Sequence, residues 1–440
     1  MTTELSNFAA RLRETILSEG RVLRGPDLKG QNGGSWNSPL RDFNRLALEL
    51  FALQFKHNAA YRKICEVRGL TPGIVEHWTQ IPAVPTSAFR ELELTCLVPN
   101  ERTVVFHSSG TTEQKPSRHF HNAESLKVYE ASLQAWFRPH LFADKLKLEL
   151  QPSAAPVGVQ ASACGCGDED FGWEQPAGKA GKQSAIRNPQ FTILTPPPKQ
   201  APHSSLVHMF ETVRQKLGGA EMAFVGKLAS DGSWTLDFAA AAELLSPRRQ
   251  APDARPLLLL GTAFSFVHLL DFLAERNLRF DLPAGSRVME TGGYKNRSRS
   301  MPKTELHQFI TERLGVPPSH IICEYGMSEL SSQAYDGVAG GGWQVTGKDN
   351  APRHSTLDTR HFRFPPWARV QVVSPETGRE VADGETGLIR VLDLANVFSV
   401  MAIQTEDLGI RRDEHFELIG RATLAEARGC SLMTAETRKS

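Results

Sequence analysis

Residues His107–His119 read HSSGTTEQKPSRH, a hydroxyl-rich loop that follows a β-prone run at Val104–Phe106. Backbone N–H groups and the hydroxyls of Ser108, Ser109, Thr111 and Thr112 would present many donors to an anion. Gly110 would let the chain approach a phosphate closely, and Lys115 would add a point charge. The Walker pattern GxxxxGK[ST] is absent, so this is not a P-loop of that kind. A Ser/Thr-rich surface turn has the same composition. The second block is Glu324–Glu329, EYGMSE. A strand ending in Tyr325-Gly326 would bring the Ser328 hydroxyl to a phosphate oxygen and the Glu329 carboxylate to a Mg²⁺ ion between phosphates. An ordinary strand-to-helix turn with its glutamate on the helix dipole is the alternative. The third is Asp407, thirteen residues before Gly420-Arg421, where a turn carboxylate would accept two hydrogen bonds from ribose hydroxyls. A turn carboxylate with no ligand is the commoner case.

Other chemistry-bearing residues give weaker signals. Cys164 and Cys166 form a CxC without a second pair, which reads as loop more readily than as a metal site. His268, within an apolar helical pattern, reads as a core histidine, and Lys295–Arg299 (KNRSR) as a basic loop. No GxSxG elbow occurs, and the glycines of GVAGGG do not follow a strand. Serine-hydrolase and dinucleotide-dependent dehydrogenase chemistry are disfavoured.

The elements that must hold these blocks follow from periodicity. Residues 1–100 read as mainly helical, with Phe43, Leu46, Leu50 and Leu53 on one face of a helix over Arg41–Lys56. Ala123–Phe137 returns to helical spacing, and Lys145–Gln151 alternates as a strand would. Residues 152–204, rich in Gly, Pro, Ser and Ala, read as a loop or insertion. Helices are expected at Leu206–Lys216 and Lys303–Leu314, and strands at 222–226, Leu257–Leu260, Arg287–Glu290 and Ile321–Ile322. Leu257–Leu260 has the unbroken apolar run of a strand buried on both faces of a parallel sheet. Strand and helix alternate through 101–365, the pattern of an α/β core. From Trp367 to residue 440 the expectation is a small β-rich part with a tail.

Composition bounds the partners. Fifty Lys+Arg against 49 Asp+Glu leave a formal net charge of +1, which argues against a nucleic-acid binder. The longest nearly apolar stretch, Leu257–Leu270, is too short to span a bilayer, and the first residues lack the pattern of a secretory signal. Six cysteines in 440 residues read as reduced thiols, so a cytoplasmic protein is expected.

The three blocks, in this order, resemble those of the acyl-adenylate-forming enzymes. More narrowly, Ser108–His119, Thr291–Ser298 (TGGYKNRS), Tyr325–Gln333 (YGMSELSSQ) and Arg428–Leu432 (RGCSL) are similar to the acyl-protein synthetase (LuxE-type) branch. The resemblance implies an adenylate-forming α/β fold with largely parallel sheets and a small C-terminal β-rich part. It also implies ATP-dependent activation of a fatty acid and transfer of the acyl group to a protein cysteine. In that scheme Ser108, Ser109, Gly110, Thr111, Thr112 and Lys115 would hold the ATP phosphates. Gly292, Gly293 and Tyr294 would form the adenine-side loop, with Tyr325 and Gly326 at the edge of the site. Ser328 and Glu329 would meet phosphate and Mg²⁺, and Asp407 the ribose. Cys430, beside Gly429 and Arg428, would be the acyl carrier, with an acyl reductase as a possible recipient. From residue chemistry alone Cys430 reads more readily as an incidental tail cysteine, and the resemblance reverses that order. Glu113, Ser328 and Glu406 depart from the wider pattern, which commonly has Gly, Thr and Gly there. Only nineteen residues follow Arg421, so no room is expected for the mobile C-terminal domain and its lysine. Lys115, Arg118 and Lys295 are the candidates to replace that lysine. Two other readings compete: a ligase that hands its acyl group to coenzyme A or another small acceptor, and a non-catalytic acyl- or nucleotide-binding partner.

Overall fold

A computed structural model of the chain describes residues 3–22, 40, 42–108, 115–141, 190–217, 222–246, 255–292, 301–337 and 360–422. In chain order these form α1 (Thr3–Val22), α2 (Phe43–His57), α3 (Ala59–Val67), β1 (Val84–Pro85), α4 (Ala88–Glu91), β2 (Val104–His107), β3 (Arg118–His121) and α5 (Ala123–Leu141). The α/β core continues with β4 (Gln190–Ile193), α6 (Ser205–Leu217), β5 (Met222–Phe224), β6 (Gly226–Leu228), β7 (Trp234–Leu236), α7 (Phe238–Leu245), β8 (Leu257–Thr262) and α8 (Ala263–Glu275). Then come β9 (Arg287–Thr291), α9 (Lys303–Leu314), β10 (Ile321–Tyr325), β11 (Ala334–Gly337), β12 (His361–Arg363), β13 (Ala368–Val373), β14 (Thr386–Asp393), β15 (Ala402–Arg412) and β16 (His415–Arg421).

One twelve-stranded sheet organises the molecule. Strands β5-β4-β8-β9-β10 are parallel neighbours, the arrangement that the alternating strand–helix pattern requires. At β10 the pairing changes sense, and β11, β12, β16, β15, β14 and β13 continue as an antiparallel run. The strands expected after Trp367 are therefore part of the same sheet as the parallel strands. β1 adds in parallel beside β15, with Val84 opposite Ile403.

The apolar run of β8 shows how the two layers form. Leu257 and Leu259 enter a cluster with Phe266, Leu270, Leu306 and Ile310 of α8 and α9. Leu258 and Leu260 point the other way, into a cluster with Tyr129 and Phe137 of α5 and Phe210 of α6. A period of two thus loads both faces with helices, the signature of a doubly covered sheet. Helix α8 starts at Ala263, directly after β8, where Thr262 and Ser265 form a reciprocal cap. The reading of 152–204 as loop needs correction at its end. Gln190–Ile193 is β4, a strand between β5 and β8, too short to stand out beside a proline-rich stretch. Residues 152–189 and the strand expected at Lys145–Gln151 lie outside the described residues.

Candidate active site

β2 and β3 form a hairpin whose tip is the hydroxyl-rich loop, with His107 opposite Arg118. Two bonds close its base: Ser108 N–H donates to Ser117 O at 3.3 Å, and Ser117 N–H donates to Ser108 Oγ at 3.0 Å. Beyond Ser108 the alternation of β3 turns Ser117, His119 and His121 to the buried side. From there the hairpin reaches the turn after β10. The Ser117 hydroxyl donates to Glu329 Oε1 at 2.5 Å, and the Ser328 hydroxyl donates to Glu329 Oε2 at 3.0 Å. His119 Nδ1–H donates to the Ser328 carbonyl at 2.7 Å. Burial pushes the His119 pKa down to about 4, so the imidazole is neutral at physiological pH.

A second layer holds that turn from behind. Asp393, fully buried at the end of β14, accepts from the Ser331 and Ser332 N–H groups at 2.9 and 2.7 Å and from the Ser332 hydroxyl at 2.7 Å. Asn396 Nδ2 donates to the Glu329 carbonyl at 2.9 Å, while Ser331 Oγ donates to Asn396 Oδ1 at 2.7 Å. The turn is thus fixed on both sides by groups far away in sequence.

On the flank of the same turn, Tyr325 OH donates to Asp407 Oδ2 at 2.9 Å. The Tyr325 ring sits among Phe362, Phe364 and Phe416. Asp407 of β15 lies opposite Arg421 of β16, whose Nε is 3.6 Å from its carboxylate. Burial raises the Asp407 pKa, and the bond from Tyr325 works against that shift. At the end of β9, Thr291 donates to the Glu324 carboxylate, and Gly292 turns out of the sheet at φ +72°.

Behind β9 and β10 lies a buried ionic network. Glu290 Oε1 meets Lys303 Nζ at 3.5 Å and His307 Nε2 at 3.4 Å, and accepts from the Cys323 thiol at 2.6 Å. Asp336 accepts from Cys323 N–H at 2.7 Å and pairs with Arg360 at 2.5 Å. Burial works to raise the Glu290 pKa, yet Lys303 and His307 hold it down at about 2. Glu290, His307 and Cys323 have the donor types of a metal site. Lys303 already supplies the opposing charge, and burial keeps the Cys323 thiol protonated, so the network is balanced by its own side chains.

The fold brings Ser108, Ser328 and Glu329 together through Ser117, and Tyr325 to Asp407. Lys115 is exposed on the approach to β3. Ser109, Gly110, Thr111, Thr112, Gly293, Tyr294 and Cys430 lie outside the described residues. Sequence reasoning missed Ser117, His119, Glu324, Asp393 and Asn396. Ser117 and His119 have a local signal in the alternation SRHFH after the loop, and Glu324 opens the EYGMSE block, where it was given no role.

Comparison with known proteins shows which family the second half of the chain is similar to. Residues 222–438 match the model described as acyl-protein synthetase, LuxE. Over these residues the chain is similar to that family. The relatives include the long-chain-fatty-acid–luciferin-component ligases of Aliivibrio fischeri and Vibrio harveyi. They are 23% identical over 193 residues and 22% identical over 211, matching 41% and 46% of this chain. The chain spans about half the length of these curated relatives, 46% and 50% respectively. Among solved structures, an open 2-hydroxyisobutyryl-CoA ligase superposes with a TM-score of 0.53 over 90% of this chain and 75% of its own, at 13% identity. The thioesterification state of that ligase gives 0.52 over 87% of this chain and 68% of its own, at 14% identity. The α/β fold of adenylate-forming ligases expected from the motifs is borne out. The hydroxyl-rich loop precedes the stretch matched by the acyl-protein synthetase model, and Ser117–Glu329 is its bond to that stretch. Among the described residues no helix is long and apolar enough to cross a membrane.

Proposed function

We propose that this protein activates a fatty acid with ATP and passes the acyl group to its own Cys430. The observation that carries the reading is the meeting of Ser117 and His119 with the turn at 328–329, and of Tyr325 with Asp407, residues separated by up to about three hundred positions in the sequence. Loop 108–115 and Ser328 would hold the phosphates, Asp407 the ribose hydroxyls, and Gly292–Tyr294 with Tyr325 the adenine side. Glu329 fits a Mg²⁺ site in its chemistry: a buried hard-oxygen carboxylate beside the hydroxyls of Ser117 and Ser328. When bound there, Mg²⁺ would neutralise charge on the phosphate oxygens.

The first step asks for positioning more than for covalent chemistry by the protein. A carboxylate oxygen attacks the α-phosphorus, the bond from phosphorus to the bridging oxygen breaks, and pyrophosphate leaves. The hydroxyls at 108, 111, 112 and 328 would bond the phosphate oxygens as charge shifts. In the second step the Cys430 thiolate attacks the acyl carbon, the carbon–oxygen bond to phosphate breaks, and AMP leaves. The thiol proton goes to water. Delivery to a partner protein such as an acyl reductase would follow. Support comes from the family match, the adenylate-forming fold and the geometry around Glu329.

Pyrophosphate release measured across a panel of carboxylic acids tests the reading, with long-chain acids expected to give the largest signal. No release with any acid would refute it. Labelled fatty acid and ATP should leave hydroxylamine-labile label on the protein. Undiminished label on Cys430→Ser would move the acceptor elsewhere, and full product with coenzyme A would favour a small-molecule acceptor.

A further inference from the structure

Thr291 and Glu324 face each other across parallel strands β9 and β10, one residue before the chain leaves the sheet at Gly292 and at the Tyr325-Gly326 turn. Both side chains are buried, and the Thr291 hydroxyl donates to the Glu324 carboxylate. The carboxylate folds back under the turn: a Cβ on Gly326 would collide with Glu324 Oε1 and push the carboxylate aside. Gly326 thus does more than let the chain turn. It admits the group that ties this turn to its neighbour.

We infer that Glu324 is a positioning residue that ties the end of β9 at Thr291–Gly292 to the Tyr325-Gly326 turn through Thr291, so that the two strand ends are held at one fixed spacing for the nucleotide. This rests on the reading that these two turns hold ATP. Glu324 itself touches neither phosphate nor the reacting atoms in that reading. Its effect is on the entropy of the empty site, because a latched pair of strand ends needs no ordering when the nucleotide arrives. Groups near it come from four elements: Glu290 of β9, Lys303 of α9, Tyr129 of α5 and Tyr335 of β11. A raised carboxyl pKa, about 7, accords with a group kept for position in an apolar place.

The test uses the full chain and four variants, Thr291→Val, Glu324→Leu, Glu324→Gln and Thr291→Val with Glu324→Leu. Binding of a non-hydrolysable ATP analogue is read by calorimetry, pyrophosphate release gives KM and kcat, and amide exchange is followed in peptides covering 291–292 and 325–328. Glu324→Gln keeps an acceptor for the Thr291 hydroxyl and should bind within about twofold of wild type. Thr291→Val and Glu324→Leu should each weaken analogue binding and raise KM for ATP about tenfold, with kcat within threefold and exchange faster in both peptides. The double variant should be no worse than either single one, because one bond is lost only once. Multiplying single effects, or a leucine variant that binds and exchanges like wild type, overturns the latch while leaving the proposed function standing. A wild type that binds no analogue and releases no pyrophosphate overturns both.

Discussion

The Ser117 hydroxyl donates to Glu329 Oε1 at 2.5 Å, joining two residues 212 positions apart at the point where the hydroxyl-rich hairpin meets the turn after β10. It is a bond between a loop that lies outside the stretch matched by the acyl-protein synthetase model and a carboxylate inside it. Removing the hydroxyl leaves a buried carboxylate oxygen short of a donor, which costs about 1–3 kcal/mol. Ser117→Ala should lower the urea midpoint accordingly and raise KM for ATP in the pyrophosphate assay. Ser117→Thr, which keeps the hydroxyl, should restore most of both. Equal behaviour of the alanine and threonine variants would show that the bond is idle.

Asp393 collects the Ser331, Ser332 and Ala395 N–H groups and the Ser332 hydroxyl on one buried carboxylate. Asp393→Ala strands several buried donors at once, so a loss of roughly 3–5 kcal/mol is expected. Asn396→Ala removes a bond to the Glu329 carbonyl and should cost less, about 1–2 kcal/mol. Denaturant unfolding ranks the two, and the reverse order would contradict this account of the turn.

Glu324 makes stability depend on pH in a direction opposite to most carboxylates. Burial and the nearby Glu290 raise its pKa to about 7, so the folded state holds the proton more tightly than the unfolded chain. Its contribution is greatest below the unfolded value of 4.5 and is lost as pH climbs to 7. The full span amounts to roughly 3 kcal/mol. Glu324→Gln, permanently neutral, should be more stable than wild type at pH 8, with the gap closing to under about 1 kcal/mol near pH 4.5. A gap independent of pH would rule this out.

Lys303 balances a carboxylate with no access to water. Lys303→Met should cost roughly 2–4 kcal/mol, less than a wholly buried pair because the lysine side chain is 39% exposed. Adding Glu290→Gln to it should recover most of the loss, since the stranded charge is then gone. If the double variant melts lower than the single one, the network is held by something other than charge balance.

What the sequence displayed was whatever chemistry needs in one contiguous run. Tyr325, Gly326, Ser328 and Glu329 stand in a single six-residue block, and the strands around Leu258 announce themselves by unbroken apolarity. Asp407 was legible through its spacing to Gly420-Arg421, which the β15–β16 register converts into a facing pair. Asp393 and Asn396 were illegible because a buried cap on a distant turn leaves no spacing rule behind. Ser117 and His119 were printed inside the loop motif, yet their direction depends on which way the hairpin pleats. Strand β4 was hidden because four residues carry too little periodicity to outweigh a neighbouring run of prolines.

The antiparallel half of the sheet has a consequence for biosynthesis. Gln54 of α2 bonds the carbonyls of Asn396 and Val397 and accepts from Met401 N–H, and Val84 pairs with Ile403. The first ninety residues therefore close onto the segment that carries Asp393 and Asn396, and Asp407 follows only a few residues later. A chain still emerging from the ribosome can already pack α1 on α5, but until residues 393–403 are free α2 lacks the segment that Gln54 bonds and the turn at Glu329 lacks Asp393 and Asn396. Closure of α2 onto the sheet is therefore a long-range step, of the kind that slows folding and leaves apolar surface open until it is complete.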